Sequence, residues 1–342
     1  MKAIQINKHG SLDVLKLSEI DEPVCTDSKV KIKIKACAIN HLDIWVRNGF
    51  ENLILPLPLI LGSDASGTIV EKGKNVENYN IGDDVVIQPG TFKLSCEIAK
   101  QGKENYSRTY GVLGESENGV QAEYVVLDPV NIYKKPSHLT FEEAASMQLV
   151  FMTAHQMIVN RAKLQPEETI LIYGATSGVG SAAIQIAKNI GSKVITTVGN
   201  KSKIDHAYKM GADYVILHNE DTFDRNIKEI SNGDGINVVF EHIGLKTWNK
   251  SLKLLNKGGR IVTCGATTGS KVDIDLTHLF IKQLSILGST MSNMSTFKDV
   301  MMNINNKKYK PFVDKVYNFN DIKNAHQRIE NREHIGKVVL VP

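Results

Sequence analysis

Cysteine is scarce in this chain. Four occur in 342 residues, Cys25, Cys37, Cys96 and Cys264, and none forms a C-x-x-C pair. Spacing this wide excludes a disulfide scaffold and points to free thiols in a reducing compartment, so a cytoplasmic setting is expected. Aromatic residues make up 6% of the chain, and no basic patch is interleaved with them in the way that grips nucleic acid. Long hydrophobic runs are missing too. No stretch of about 18 apolar residues is available to cross a bilayer, so no membrane association is expected. The N-terminus, Met1-Lys-Ala-Ile-Gln-Ile6, reads as a strand and lacks the form of a signal peptide. Neither sign of charge dominates: 41 basic and 37 acidic residues leave +4, and the lysines are dispersed. Such a balance calls for no polyanionic partner.

What is present fits two soluble globular domains with sizeable cores. Residues up to about 130 are β-rich. Runs at 29–38, 65–71, 84–88 and 122–127 are β-prone and are broken by Gly, Pro and Asn. Asp128-Pro129 and Lys135-Pro136 punctuate the end of this region. Thr140-Phe-Glu-Glu143 predicts an N-cap and acidic first turn, with a helix from about 141. From about 168 the texture changes to alternation. Strands are predicted at 170–173, 193–198, 214–217, 237–241, 260–264 and 284–287, with helices at 179–189, 201–210, 221–230 and 247–256. Gly191, Gly211 and Gly258-Gly259 stand where helices should stop. This alternation implies an α/β, doubly wound domain with a six-stranded parallel sheet. A helix near 321–330 and a terminal strand over 336–341 follow, and the tail is expected to rejoin the first domain.

The first strand of the alternating region runs into Gly174-Ala-Thr-Ser-Gly-Val-Gly180, and a helix opens there. Strand, glycine-rich turn and helix begin a dinucleotide-binding βαβ unit. In a G-x-G-x-x-G frame the first two glycines are replaced by Ala175 and Ser177, so the surrounding alternation carries the assignment. Ala175, Thr176, Ser177, Gly178, Val179 and Gly180 are the candidate pyrophosphate contacts, with the helix N-terminus supplying N–H groups and partial positive charge. An acid at the end of the second strand would grip a ribose 2′-hydroxyl. Here that strand ends in Gly199-Asn-Lys-Ser-Lys203 and no carboxylate stands there. Gly199, Asn200, Ser202 and Lys203 are therefore candidate contacts to a 2′-phosphate, and NADPH is favoured over NADH. For any single lysine, an ordinary solvated helix start is an equally available reading.

The order of parts resembles the medium-chain dehydrogenase/reductase superfamily over essentially the whole chain. Asn40-His-Leu-Asp-Ile-Trp-Val-Arg-Asn-Gly49 resembles its active-site strand-and-loop block, and Pro58-Leu-Ile-Leu-Gly-Ser-Asp-Ala-Ser-Gly67 the block after it. The turn 174–180 and Cys264-Gly-Ala-Thr-Thr-Gly269 match as well. The resemblance implies a GroES-like β-rich catalytic domain, 1–148 with 289–342, and a Rossmann dinucleotide-binding domain, 149–288. It also implies that Thr153, Cys264 and Gly265 line the nucleotide, that the nicotinamide lies beside Asn40 and Thr153, and that the apolar strand near Ile286 pairs with its symmetry mate in a homodimer, or in a dimer of dimers.

Zinc-dependent members of that superfamily hold a catalytic metal on Cys, His and Cys. In register, these positions are Asn40, Ser63 and Leu149. Their structural zinc uses four cysteines in a loop that corresponds to 90–107. Only Cys96 remains there, with Lys93, Ala99 and Ser107 at the other positions. Zinc prefers thiolate, imidazole or carboxylate, so no zinc is expected. The pattern resembles the zinc-free quinone oxidoreductase (zeta-crystallin-like) branch, which also has Asn at the first position and uses NADPH. Where that branch often has Tyr, this chain has Trp45, which can wall a pocket but not donate a comparable proton.

Without a metal, alcohol oxidation is hard, whereas a conjugated acceptor spreads the incoming charge onto oxygen. The expected activity is NADPH-dependent hydride transfer to an electrophilic small molecule, a quinone or an α,β-unsaturated carbonyl compound. The candidate site residues are Asn40, Asp43, Trp45 and Asp64. Asp43 and Asp64 are expected to orient the loop, and His41 to be structural. Two alternatives stay open. One is an alcohol dehydrogenase with an atypical metal site drawn from Cys37, His41, Asp43 and Asp64. The other is an NADPH-binding protein with an RNA-binding or other non-catalytic role.

Overall fold

The structure is a computed structural model and describes residues 1–50 and 54–342. The chain forms two compact units. One comprises Met1–Leu149, Asn293–Met301 and Pro311–Pro342; the other comprises Val150–Ser292 and Met302–Lys310. Among the described residues no helix is long and apolar enough to cross a membrane.

The strand Val30–Ala38 organises the first unit. Its sequence alternates Ile with Lys through Lys35 and then turns to Ala36-Cys37-Ala38, buried on both faces. Alternation suits a strand with one wet face, and small apolar residues suit one covered on both. It pairs antiparallel with Asp64–Lys72, with Tyr124–Leu127 and with Lys337–Val341 from the far end of the chain. The last pairing sets Val339 opposite Ala38 and Leu340 opposite Cys37. Val313–Asn318 lies parallel to the terminal strand, and Asp84–Ile87 and Ile132–Lys134 extend the other side. Ile4, Ile6, Ile32, Leu59, Leu61 and Phe319 belong to the buried core. Of the tail, residues 293–301 and 311–342 belong to the first unit, while 289–292 and 302–310 belong to the second.

The block after that strand differs from its expected form. Residues 41–48 make a helix, His41–Asn48, rather than a strand and loop. Asn40 is extended at the N-cap, and its backbone N–H donates to the Asp43 carboxylate, the reciprocal half of a capping box. This cap and the burial of Ile44 and Val46 outweigh the β-branched composition. The Thr140 cap forms in full, but its helix stops at Ala144.

The second unit holds six parallel strands in the order Tyr214–Leu217, Lys193–Val198, Thr169–Ile172, Ile236–Glu241, Leu255–Thr263, Ser285–Gly288. The order reverses between Thr169–Ile172 and Ile236–Glu241, which is the switch point where open α/β sheets bind ligands. Ser177 caps the helix Gly178–Ile190, and Gly191, at φ +99°, ends it. Two details differ from expectation. The helix at 201–210 is split into a 3-10 turn, Lys201–Lys203, and Ile204–Lys209. Gly258 and Gly259 do not end a helix; they lie inside the strand Leu255–Thr263, where the register against the neighbouring strand shifts. The helix before it, Trp248–Leu254, has already stopped.

Candidate functional site

In the first unit, Asn40, Asp43 and Asp64 come together with a fourth residue, Lys337. Asn40 stands at the joint between the strand Val30–Ala38 and the helix His41–Asn48. Asp64 begins the neighbouring strand, opposite Ala38. Lys337 begins the terminal strand on the other side. The Asn40 side chain makes no cap; its Nδ2 donates to Asp64 Oδ2 at 3.0 Å. Lys337 Nζ donates to Asp64 Oδ2 at 3.0 Å and also to Asn40 Oδ1. Asp64 Oδ1 accepts the Leu149 backbone N–H at 2.9 Å. Three donors thus meet one carboxylate that is fully buried. An ammonium taken this far from water needs such a partner, since an unpaired buried charge is strongly destabilising.

Asp43 binds backbone on both oxygens. Oδ2 accepts the Asn40 N–H at 2.7 Å and Oδ1 the Gly62 N–H at 2.9 Å. Burial pushes its carboxyl up from 3.8 to about 6, against the opposing pull of the Asn40 N–H. Trp45 is half-buried, with its ring edge-on to His41 at 5.0 Å. Ser63 Oγ donates to the Leu113 carbonyl at 2.8 Å. Cys37 is buried against the Leu340 carbonyl, and burial holds its thiol well above the usual range.

In the second unit, the turn after Thr169–Ile172 is tight. The carbonyl of Gly174, a residue at φ +67°, accepts the Ser177 N–H at 2.9 Å and the Ser177 hydroxyl at 2.8 Å. The Gly180 N–H donates to Ser177 Oγ at 3.0 Å. A Cβ on Gly180 would sit 2.2 Å from the Gly174 carbonyl oxygen, so only glycine fits. The Gly178 and Val179 amides at the helix start have no acceptor among the described residues. They are free donors for an anion, and the turn therefore fits a dinucleotide pyrophosphate. Ala175 and Thr176 are buried in the turn. Asn200 accepts the Ser202 hydroxyl at 2.6 Å, and both are exposed with Gly199 at the end of the second strand. Lys203 is largely buried, whereas Lys201 is the exposed cation of that turn. Thr153 is buried beside Met291. Cys264 and Gly265 follow the fifth strand in the chain, and burial pushes the Cys264 thiol up to about 12.

Residues 26–137 match the family described as alcohol dehydrogenase GroES-like domain, and residues 178–306 match the zinc-binding dehydrogenase family. A zinc-type alcohol dehydrogenase-like protein of Schizosaccharomyces pombe is 31% identical, covering 97% of this chain and 96% of its own. The chain belongs to the medium-chain dehydrogenase/reductase superfamily. The human quinone oxidoreductase is 28% identical over 100% of this chain and 98% of its own. A crystal structure of an NAD-dependent alcohol dehydrogenase superposes with a TM-score of 0.96 at 38% identity, over the full length of both chains. The protein is thus an oxidoreductase by family, with the GroES-like and Rossmann domains that the sequence predicted.

Zinc is the metal this family name implies, and the donor set does not fit it. The three positions that the resemblance assigns to a catalytic site hold a carboxamide bonded to an ammonium, a hydroxyl spent on a backbone carbonyl, and a leucine. Among the described residues no group of three or more His, Cys, Asp and Glu could hold a metal ion. In the loop where a structural site would lie, Cys96 Sγ instead meets Ser107 Oγ at 3.3 Å, and that hydroxyl meets Thr109 Oγ1 at 2.9 Å. Lys337 and the Leu149 and Gly62 amides were absent from the sequence-derived site. A lysine opening an otherwise apolar strand was the one available sign, because a lysine is seldom buried unless paired.

Proposed function

We propose that this superfamily member transfers a hydride from NADPH to a quinone or an α,β-unsaturated carbonyl compound, without zinc. The observation that carries the reading is the centre at Asn40, where a lysine ammonium and not a set of metal donors compensates the buried Asp64. A conjugated acceptor suits such a centre, because the electron pair displaced by hydride moves onto an oxygen that hydrogen bonds can stabilise. NADPH, when bound, supplies the hydride. Residues 175–180 hold the pyrophosphate, while Thr153, Cys264 and Gly265 line the nucleotide. Gly199, Asn200, Ser202 and Lys203 take the 2′-phosphate, since no carboxylate closes the second strand. Asn40 hydrogen-bonds the substrate oxygen or the nicotinamide ribose. Asp43, spent on backbone amides, and Asp64, spent on the Leu149 amide and the Asn40 and Lys337 side chains, orient the loop, and water supplies the proton. Trp45 walls the acceptor site.

The chain acts as a homodimer in the cytoplasm. Ser285–Gly288 is an edge strand, and the helix before it, Leu276–Ile281, exposes Leu276, Phe280 and Ile281. An unpaired edge beside apolar side chains is a surface that association would cover.

Stopped-flow oxidation of NADPH with 1,4-quinones and small enones, in EDTA, tests the activity. Turnover of at least one acceptor, undiminished by the chelator, is expected. Failure with all of them, or loss of activity on chelation, refutes it. Tighter binding of NADH than of NADPH in a fluorescence titration refutes the nucleotide assignment alone.

A further inference from the structure

The hydrogen bonds around Asn40 fix more than its position. An ammonium can only donate and a carboxylate can only accept. Lys337 Nζ therefore faces Asn40 Oδ1, and Asp64 faces Asn40 Nδ2, which leaves one orientation of the carboxamide. The inventory of the cluster is then lopsided. Asp64 accepts from Asn40, Lys337 and Leu149. Asn40 keeps one Nδ2–H, and Lys337 one Nζ–H, without an acceptor among the described residues. Both side chains are nearly enclosed, at 5% and 4% exposure. Unspent donors in so dry a place call for a ligand acceptor. In net charge, the Lys337 ammonium and the Asp64 carboxylate cancel, so no charge remains here to attract a divalent cation.

We propose that Lys337 is the resident cation of this centre: pinned by Asp64, it fixes the Asn40 carboxamide in one orientation, with an N–H left for a substrate oxygen. Lys337 is a positioning residue acting through Asn40. Asp64 balances its charge, so what favours negative charge on an oxygen bound at Asn40 over the neutral ground state is the pair of oriented N–H donors, one on Asn40 and one on Lys337, rather than a net charge. A centre with surplus donors suits an acceptor carbonyl that gains electrons. It suits an alcohol, which must give up a proton, less well. This rests on the hydride-transfer reading above.

The test uses full-length Lys337→Met, Lys337→Arg and the double variant Asp64→Asn/Lys337→Met. The double variant leaves no charge unpaired, so it retains the fold even where Lys337→Met does not. A thermal melt checks this. Loss of an oriented, charged donor system lowers kcat with a 1,4-quinone by roughly 10²–10³-fold in the double variant. NADPH affinity, read by fluorescence, changes by less than about threefold, since only an interaction specific to the reacting oxygen is removed. Lys337→Arg, which keeps the charge, recovers part of the loss. A folded double variant with kcat within about threefold of wild type would overturn the proposal while leaving the activity intact. Should the wild type reduce no acceptor, the functional reading falls and zinc uptake judges Lys337 alone. A Cys96→Ser chain dialysed against equimolar zinc is expected to retain none by elemental analysis. One zinc per chain overturns the assignment.

Discussion

Asp43 offers a test in which stability reads out the chemistry of the site. Its carboxyl is buried, and both oxygens accept backbone N–H groups from Asn40 and Gly62. Those bonds favour the charged form, yet burial outweighs them and raises the group from 3.8 to about 6. The sign follows from linkage. Between these two values the folded chain binds a proton that the unfolded chain has lost, so stability falls as pH rises through the window and is restored as pH drops. The full cost of holding the charge, above the window, is about 3 kcal/mol at 1.36 kcal/mol per pKa unit. Between pH 7 and pH 5 the titration recovers about 1.3 kcal/mol of it, from the ratio of protonated populations in the two states. Asp43→Asn abolishes that recovery, because the amide does not titrate.

The chain contains two tryptophans, Trp45 and Trp248. In a Trp248→Phe background Trp45, on the helix that carries Asp43, reports unfolding of the first unit. This matters because the two units need not melt together. Urea unfolding of the background chain, with and without Asp43→Asn, is run at both pH values. The stability difference between the two chains should shift in favour of the chain that keeps Asp43 by about 1.3 kcal/mol at pH 5. A shift below about 0.5 kcal/mol, or one of opposite sign, refutes the claim that burial dominates this carboxylate.

Three further perturbations address other parts of the molecule. Gly180→Ala puts a methyl 2.2 Å from the Gly174 carbonyl oxygen, so the turn must open; NADPH affinity, by fluorescence titration, should fall at least about tenfold, or ~1.4 kcal/mol. Asn200→Asp places a carboxylate at the end of the second strand, and the ratio of NADPH to NADH affinity should drop roughly ten- to a hundredfold, with an unchanged ratio counting against a 2′-phosphate there. Phe280→Glu introduces a charge at a side chain that is 66% exposed on the helix before the edge strand; sedimentation should show a wild-type dimer and a variant monomer, and a wild-type monomer at micromolar concentration would refute the pairing.

Periodicity made the second unit legible because its signals are local. Lys193–Val198 and Tyr214–Leu217 begin and end where the β-prone runs, rich in Val, Ile, Thr and Tyr, do. The turn at 174–180 was readable for the same reason: its glycine requirement comes from contacts within seven residues. Local reasoning failed where a contact overrode composition. His41–Asn48 is helical through a cap that Asn40 and Asp43 make together. The double glycine 258–259 looks like a helix stop but sits in a strand whose neighbour fixes its register. The lysine that opens the terminal strand gave no hint of its partner, because Asn40 lies 297 residues from Lys337, and only the closing of that strand onto Val30–Ala38 brings them together.

The same distinction separates the family name from the chemistry. The segment that matches the zinc-binding dehydrogenase family is 178–306, and it lies outside Asn40, Ser63 and Leu149, the three positions that the resemblance assigns to the metal. A match there certifies the nucleotide-binding architecture and says nothing of the ligands. Fold is set by many weak, redundant contacts, and it survives replacement of a few polar residues; a metal site depends on three or four donors and does not. Asp64 is a buried carboxylate that something must neutralise. A lysine on the adjoining strand does so here. A cation bonded covalently to the chain cannot be exchanged or chelated. The chemistry proposed for this centre accordingly uses acceptors whose own conjugation lowers the demand on the protein.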